Sequence, residues 1–288
     1  MYNWLISPFV EYGFMFKALL SCILISISAP VLGIFLTMKR MSLAGDALSH
    51  AILPGVAIGY AISGMSLMAM TIGGFIAGTI VILTSSYLSR LTNKSDDNSL
   101  ASFFLISLAV GIFIISVNGS NLDLLCILFG SLLTSDNYAL MIIAGVSLFS
   151  MLVLFIIKRP FLIDCIDPLF LKSNGYNGNL YNMIFMVLVV LNLIAGFQTI
   201  GTLMAVGLFI LPATILRFWF NSIILLCATT PFIVIISCYT GLLLSFHFDY
   251  PSSPTIIIFM GCMYVFSLIF GLNGGLLWKF IKLKHLES

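Results

Sequence analysis

The sequence predicts an all-α membrane protein, a single polytopic bundle of about nine membrane-spanning helices over residues 1–288. Hydrophobic residues make up 61% of the chain and charged residues only 8%, whereas a soluble domain carries roughly 25% charge. Because a helix needs ~20 apolar residues to cross the hydrocarbon, the length allows about eight to ten spans. This composition excludes a soluble enzyme, a nucleic-acid-binding protein and a disordered scaffold.

Nine apolar runs are long enough to span, and each is bounded by polar or turn residues. In chain order they are Phe14–Leu36, Leu43–Ile62, Ser66–Tyr87, Leu100–Val117, Tyr138–Ile157, Leu180–Phe197, Ile200–Leu216, Ser222–Phe246 and Thr255–Gly271. Only Gln198 and Thr199 separate the sixth run from the seventh, so one of these two is expected to be broken or re-entrant. The apolar stretch Leu124–Leu133 is too short to span and is expected to lie in the interface or dip back into the protein.

The basic residues predict the orientation of the bundle. If the N-terminus lies outside, nine spans place every Lys and Arg except Lys17 on the cytoplasmic side. This asymmetry is typical of multi-pass proteins, whose cytoplasmic loops are rich in Lys and Arg.

One predicted span carries ionisable side chains. Asp46 and His50 lie four residues apart in the second run, so a helix places them on one face, beside Ser49. Such residues are costly in a bilayer, about 2.5–3.5 kcal/mol for Asp on insertion scales. The pair therefore predicts a polar patch that faces a protein interior or an aqueous path.

Pro54 adds to this patch because it has no N–H, and the carbonyl of His50 is expected to lose its helical partner. A carboxylate, an imidazole nitrogen and a free carbonyl oxygen suit Mn²⁺, Fe²⁺ or Zn²⁺ better than Mg²⁺ or Ca²⁺. Three interpretations fit the residues: metal contact, a helix cap at Asp46 with a structural His50, and a proton relay. Two ligands are not a full coordination shell, so water, further residues or a second chain must complete it.

The stretch Lys39–Gly55, K-R-M-S-L-A-G-D-A-L-S-H-A-I-L-P-G, resembles the signature of bacterial metal-ion ABC transporter permeases, the membrane subunits of zinc, manganese and iron uptake systems. The resemblance extends to Leu128–Leu133, to Asp167-Pro168 with Gly175, to Gly201–Ala213 and to Ser245–Ile256.

This resemblance implies a dimer of permease chains in the bacterial cytoplasmic (inner) membrane. It further implies two cytoplasmic ATPase subunits and an extracytoplasmic metal-binding protein that delivers the cargo. The aspartate and histidine of the G-D-A-L-S-H motif are metal ligands in this family, and they match Asp46 and His50. No permanently bound cofactor is implied, only the transported metal.

The longest inner loop, Lys158–Asn179, is the best candidate for docking the ATPase. No G-x-x-x-x-G-K-[ST] motif occurs, so ATP hydrolysis is expected on another chain. Asp167 can cap a short helix with Pro168 at its first position and Gly175 at its end. The helix would present Leu169, Phe170 and Leu171 to a partner. The alternative is an ordinary connector whose Phe170 tucks back onto the bundle.

His247 and Asp249 lie on the predicted outer side. They could guide or gate the ion or touch the binding protein, and otherwise they cap the last span and bond to water.

Two other classes compete with the ATP-driven permease: a proton-coupled secondary transporter that uses Asp46 and His50 as a relay, and a scaffold without transport.

Overall fold

The computed structural model describes residues 2–64, 66–92, 96–117 and 137–277. These residues form helices and turns, and no strand occurs among them. The stretch Leu124–Leu133, with the family-like segment Leu128–Leu133, lies outside the described residues.

The described helices follow one another closely along the chain. They are α1 Tyr2–Leu5, α2 Ser7–Glu11, α3 Gly13–Met38, α4 Ala44–Ala51, α5 Leu53–Ser63, α6 Leu67–Thr92, α7 Asp96–Val117, α8 Asn137–Ile166, α9 Pro168–Ser173, α10 Gly178–Ile200, α11 Thr202–Arg217, α12 Ile223–Phe248 and α13 Ser252–Phe270.

Six of the described helices are long and apolar enough to cross a membrane, namely those over Gly13–Met38, Met68–Leu88, Asn137–Ile166, Gly178–Phe197, Ile223–Phe248 and Ser252–Phe270. Leu100–Ile114 and Thr202–Arg217 are shorter apolar helices. The polytopic helical bundle predicted from composition is therefore confirmed. The described residues contain six long spans, whereas the sequence predicted about nine.

Two breaks interrupt the predicted spans. The run predicted as one helix over Leu43–Ile62 is split at Ile52 into α4 and α5, because Pro54 cannot donate to the helix and its ring crowds the preceding turn. The expected break between the sixth and seventh runs falls at Gly201, whose φ of 82° is accessible to glycine.

Helix α3 lies at the centre of one half of the bundle, where it packs against α8, α10, α11 and α12. The buried polar side chains among the described residues are Ser, Thr and Asn, none of them charged. Asn192 of α10 joins three helices: it accepts from the Ser28 hydroxyl of α3 and donates to the Ser150 hydroxyl of α8. This pairing satisfies polar groups that would otherwise be costly in an apolar core.

The other half consists of α4 to α7, which contacts α10 through α4 and α6. Helices α5 and α6 meet backbone to backbone, since a Cβ added at Gly55 would overlap the carbonyl of Gly73, and one added at Gly73 would overlap the carbonyl of Gly55. Glycines at these positions let the two helix backbones pack closely, as is usual in membrane helices.

Candidate functional site

Asp46 and His50 both lie on α4, at the start of the split span. The helix begins at Ala44 with Leu43 at its N-cap position, so Asp46 is in the first turn and makes no cap. The interpretation of Asp46 as an N-cap is therefore wrong. Its carboxylate still lies near the helix N-terminus, where the unpaired amides favour a negative charge.

The two side chains lie side by side and open to the surroundings. His50 Nε2 is 3.8 Å from Asp46 Oδ1, and the exposed fractions of the His50 and Asp46 side chains are 31% and 60%. The imidazole stacks on the Phe104 ring of α7, with centroids 6.3 Å apart and an interplanar angle of 30°. Both side chains are thus accessible from outside the chain, and their polar atoms do not form a close ion pair with each other.

Ser49 and Pro54 shape the helix around the pair. The Ser49 hydroxyl is buried and donates to the carbonyl of Asp46 at 2.6 Å, so it supports the first turns of α4. The carbonyl of His50 accepts a hydrogen bond from the N–H of Ile52. The expectation of a free His50 carbonyl as a third ligand is therefore wrong, because the chain turns at the break and supplies another donor.

At the break between α4 and α5, a neighbouring helix donates a hydrogen bond to the carbonyl of Ala51. Buried Ser107 of α7 donates to the carbonyl of Ala51 at 2.9 Å. Gly111 of the same helix approaches Pro54 so closely that an added Cβ would lie 3.0 Å from the Pro54 nitrogen. Sequence reasoning did not identify either contact, since both join residues more than fifty positions apart.

Within the described part of the chain, no group of three or more His, Cys, Asp or Glu side chains could hold a metal ion. A cation at Asp46 and His50 would therefore receive one oxygen and one nitrogen ligand from these side chains. The remaining ligands would come from water, from another chain or from other groups of this chain.

The short helix predicted in the inner loop is confirmed as α9. Asp167 Oδ1 accepts hydrogen bonds from the N–H groups of Leu169 and Phe170, both at 3.0 Å, and Pro168 occupies the first turn. At the other end Gly175 has a φ of 79° and donates to the carbonyl of Lys172. The capped helix follows from the residue types at its two ends.

The apolar face of α9 is mostly exposed. Leu169 and Phe170 have exposed fractions of 77% and 56%, so Phe170 does not tuck back onto the bundle. Leu171 is buried, and the expectation that it belongs to a docking face is wrong, because it points to the opposite side of a six-residue helix.

An ion pair beside α9 was also missed. Lys39, directly after α3, donates from Nζ to Asp164 Oδ2 at 2.7 Å and to Asn182 Oδ1 at 2.9 Å. The exposed fractions of the Lys39 and Asp164 side chains are only 12% and 13%. Asp164 lies in the last turns of α8 rather than in a loop as expected, and Asn182 lies in α10. One ammonium thus joins the two helices that flank α9 to the end of α3.

His247 and Asp249 lie away from α4 in the contacts they make. His247 Nε2 is 3.0 Å from the carbonyl of Trp4, and the two rings stack with centroids 4.3 Å apart. Asp249 ends α12 in a left-handed conformation, with a φ of 54°. The last helix begins after Pro251 without a side-chain cap, so the idea that these residues cap it is wrong.

An acid–imidazole pair that is open on one helix of an apolar membrane bundle is typical of membrane transport proteins. The chain belongs to the ABC 3 transport family, which it matches over residues 11–271. The resemblance inferred from the G-D-A-L-S-H stretch is thereby confirmed.

Several relatives agree with this assignment. The chain is 30% identical over 281 residues to the manganese transport system membrane protein MntC of Halalkalibacterium halodurans, covering 97% of this chain and 94% of that protein. It is 32% identical over 213 residues to the manganese import system permease protein ScaB of Streptococcus parasanguinis, covering 74% and 75%. It is 28% identical over 273 residues to a probable iron transport system membrane protein of Haemophilus influenzae, covering 94% and 98%.

The fold also matches a solved structure, that of PsaBC from Streptococcus pneumoniae in complex with Fab. The TM-score is 0.84 at 28% sequence identity, with 99% of this chain and 100% of that chain covered. The helical arrangement described above is therefore shared over nearly the whole length of both chains.

Proposed function

We propose that this chain is the membrane-spanning permease of an ATP-driven importer of a divalent transition metal, manganese or iron in the first place and zinc as a further candidate. The observation that carries the proposal is the pair Asp46–His50, which is open on a helix of an otherwise apolar bundle, whereas Lys39 and Asp164 are largely buried against each other. The names of the relatives, which refer to manganese and iron transport, support the choice of cargo.

The chemistry of the pair suits a passing cation. A carboxylate facing lipid would be costly, so the surface that exposes Asp46 must meet water or another protein. A second copy of the chain, placed against α4, would complete the shell with its own carboxylate and imidazole. Incomplete coordination by each chain favours release, because a closed four-ligand site would retain zinc.

We further propose that the single permease domain crosses the bacterial cytoplasmic (inner) membrane nine times with its N-terminus outside. Contacts between helix ends support this arrangement. Lys39, Asp164 and Asn182 meet at the proposed inner end. At the proposed outer end Trp4 meets His247, and Ser253 donates to the carbonyl of Ile200.

Transport would follow an alternating-access scheme. An extracytoplasmic binding protein delivers the metal to a cleft between two permease chains, where Asp46 and His50 take it transiently. ATP-driven closure of two cytoplasmic ATPase subunits moves α9, whose exposed Leu169 and Phe170 occupy a groove on the ATPase. The motion reorganises the pathway and releases the metal inside.

The test is manganese uptake by vesicles that contain the complete transporter, measured after ATP depletion with the proton gradient intact. The proposal expects uptake to stop. Continued uptake would reject it in favour of the proton-coupled transporter, which the Asp46–His50 pair would also serve as a relay. Elemental analysis of cells that lack the protein, grown under limitation for each metal, would then identify the cargo.

A further inference from the structure

We propose that Ser107 of α7 is a positioning residue for the metal ligand His50. Its hydroxyl holds the carbonyl of Ala51, the residue next to His50, and so fixes the end of α4 from which the imidazole projects. This inference rests on the proposed function, since it concerns the same cation at the same pair.

The hydrogen bond from Ser107 joins two helices. The hydroxyl groups of Thr84, Thr229 and Thr240, in contrast, donate to a carbonyl three or four residues back in their own helix. Ser107 instead reaches across to α4, and its side chain is buried. Its partner lies at the place where Pro54 interrupts the helix and the usual backbone ladder cannot hold the chain.

Two neighbours of Ser107 on α7 also contact the break between α4 and α5. Phe104, one turn earlier, stacks on the His50 imidazole. Gly111, one turn later, allows the helix to approach Pro54. Residues three and four apart share a helix face, so α7 presents one face that contacts the ring of His50, the carbonyl after it and the proline that breaks the span.

The distance between the two ligand atoms links the Ser107 hydrogen bond to the affinity for the metal. A first-row metal lies about 2.0–2.2 Å from each nitrogen or oxygen ligand, so two adjacent ligand atoms lie about 3.0 Å apart in octahedral geometry and about 3.4 Å apart in tetrahedral geometry. His50 Nε2 and Asp46 Oδ1 are 3.8 Å apart, which leaves only a small movement to make. If Ser107 is lost, α4 can fray at the break, and part of the binding free energy must restore the arrangement.

The inference predicts that Ser107→Ala raises the half-saturating manganese concentration by about tenfold, within the 10–100-fold range seen when residues that orient metal ligands are replaced. The maximal uptake rate at saturating metal should change little. Ser107→Thr keeps the hydroxyl and should restore the half-saturating concentration.

Ser147→Ala is the matched control. Buried Ser147 of α8 also donates to a carbonyl of another helix, that of Leu24 at 2.8 Å, and α8 packs mainly against α3 and α10. The two variants remove the same kind of hydrogen bond from the same kind of environment. Ser147→Ala should therefore lower thermal stability to a similar extent and leave the half-saturating concentration unchanged.

The experiment uses the complete transporter in vesicles, with Mn²⁺ supplied through its binding protein. Equal half-saturating concentrations in Ser107→Ala and Ser147→Ala would overturn the inference, as would failure of Ser107→Thr to restore the wild-type value. If Ser107→Ala does not assemble, Ser107→Cys, a weaker donor, must give an intermediate shift, and a wild-type value there would equally overturn it. Failure of the proposed function is distinguishable, because the wild-type transporter would then take up manganese without ATP or would take up none. Failure of the metal site would instead leave Asp46→Ala with wild-type uptake.

Discussion

Two acid–base pairs in this protein contain similar groups and are built in opposite ways. Lys39 and Asp164 are 2.7 Å apart and almost fully buried, and Asn182 accepts a further hydrogen bond from the ammonium. Asp46 and His50 are 3.8 Å apart, and more than half of the Asp46 side chain is exposed. The chain itself supplies close hydrogen-bond partners to the charged atoms of the first pair, whereas the polar atoms of the second pair lie mostly open.

We propose that the difference separates a structural pair from a functional one. A buried ion pair is tolerated only when its geometry and hydrogen bonds compensate for lost hydration, and Lys39 meets that condition with acceptors on α8 and α10. The pair on α4 leaves ligand capacity unused on a surface that would be costly against lipid. We therefore expect the first pair to be replaceable by apolar side chains and the second to be irreplaceable.

The largest predicted effect comes from replacing both members of each pair. Asp46→Leu with His50→Met should abolish metal uptake, because no ligand remains on α4. Lys39→Met with Asp164→Leu should retain most uptake, since a well-packed apolar pair of similar volume is often as stable as a buried ion pair. Radiolabelled manganese uptake by vesicles with equal amounts of assembled transporter measures both. Equal loss of uptake in the two double variants would contradict the distinction.

The sequence was sufficient to predict the features that depend on neighbours along the chain. The cap by Asp167, Pro168 at the start of α9 and Gly175 at its end follow from residue types a few positions apart. The pairing of Asp46 with His50 follows from their spacing on one helix.

The features that depend on tertiary structure could not be predicted. Lys39 and Asp164 are 125 positions apart, so no local spacing indicates that they form an ion pair. Pro54 was expected to leave the His50 carbonyl without a donor. Instead, the N–H of Ile52 donates to that carbonyl, and Ser107 donates to the next one, that of Ala51. Burial of Leu171 depends on which side of a short helix faces the bundle.

The next effect concerns the docking surface beside the structural pair. Phe170→Asp places a charge on the exposed apolar face of α9 and should abolish copurification of the ATPase subunit. Ser173→Asp adds the same charge to the same helix at an exposed polar position and should leave copurification close to wild type. Unaltered copurification of Phe170→Asp would remove this residue from the docking surface.

A smaller effect is expected from breaking the structural pair on one side only. Lys39→Met leaves the Asp164 carboxylate buried without its cation and should lower the free energy of unfolding by about 3 kcal/mol. Asp46→Asn should leave that free energy nearly unchanged, since the Asp46 side chain is open. Thermal unfolding of the purified transporter in lipid nanodiscs compares the two. Similar stability losses would mean that the pair on α4 is structural as well.

The smallest effect comes from the helix cap. Asp167→Ala removes two hydrogen bonds from the start of α9 and should cost about 1 kcal/mol of helix stability. The affinity of the ATPase for the membrane subunit should fall by about fivefold, as measured by titration in nanodiscs. Asn177, the N-cap residue of α10, makes no side-chain cap bond, so Asn177→Ala should change neither quantity. A stronger effect of Asn177→Ala than of Asp167→Ala would contradict this prediction.

The most direct measurement of the central claim is pulsed electron paramagnetic resonance of Mn²⁺ bound to the assembled transporter. Mn²⁺ held by His50 shows modulation from the coordinated imidazole nitrogen. That modulation should vanish in His50→Gln, while a control variant at the distant His247 should retain it. Nitrogen modulation that persists at wild-type strength in His50→Gln would show that the metal binds elsewhere and that the open pair on α4 is not its site.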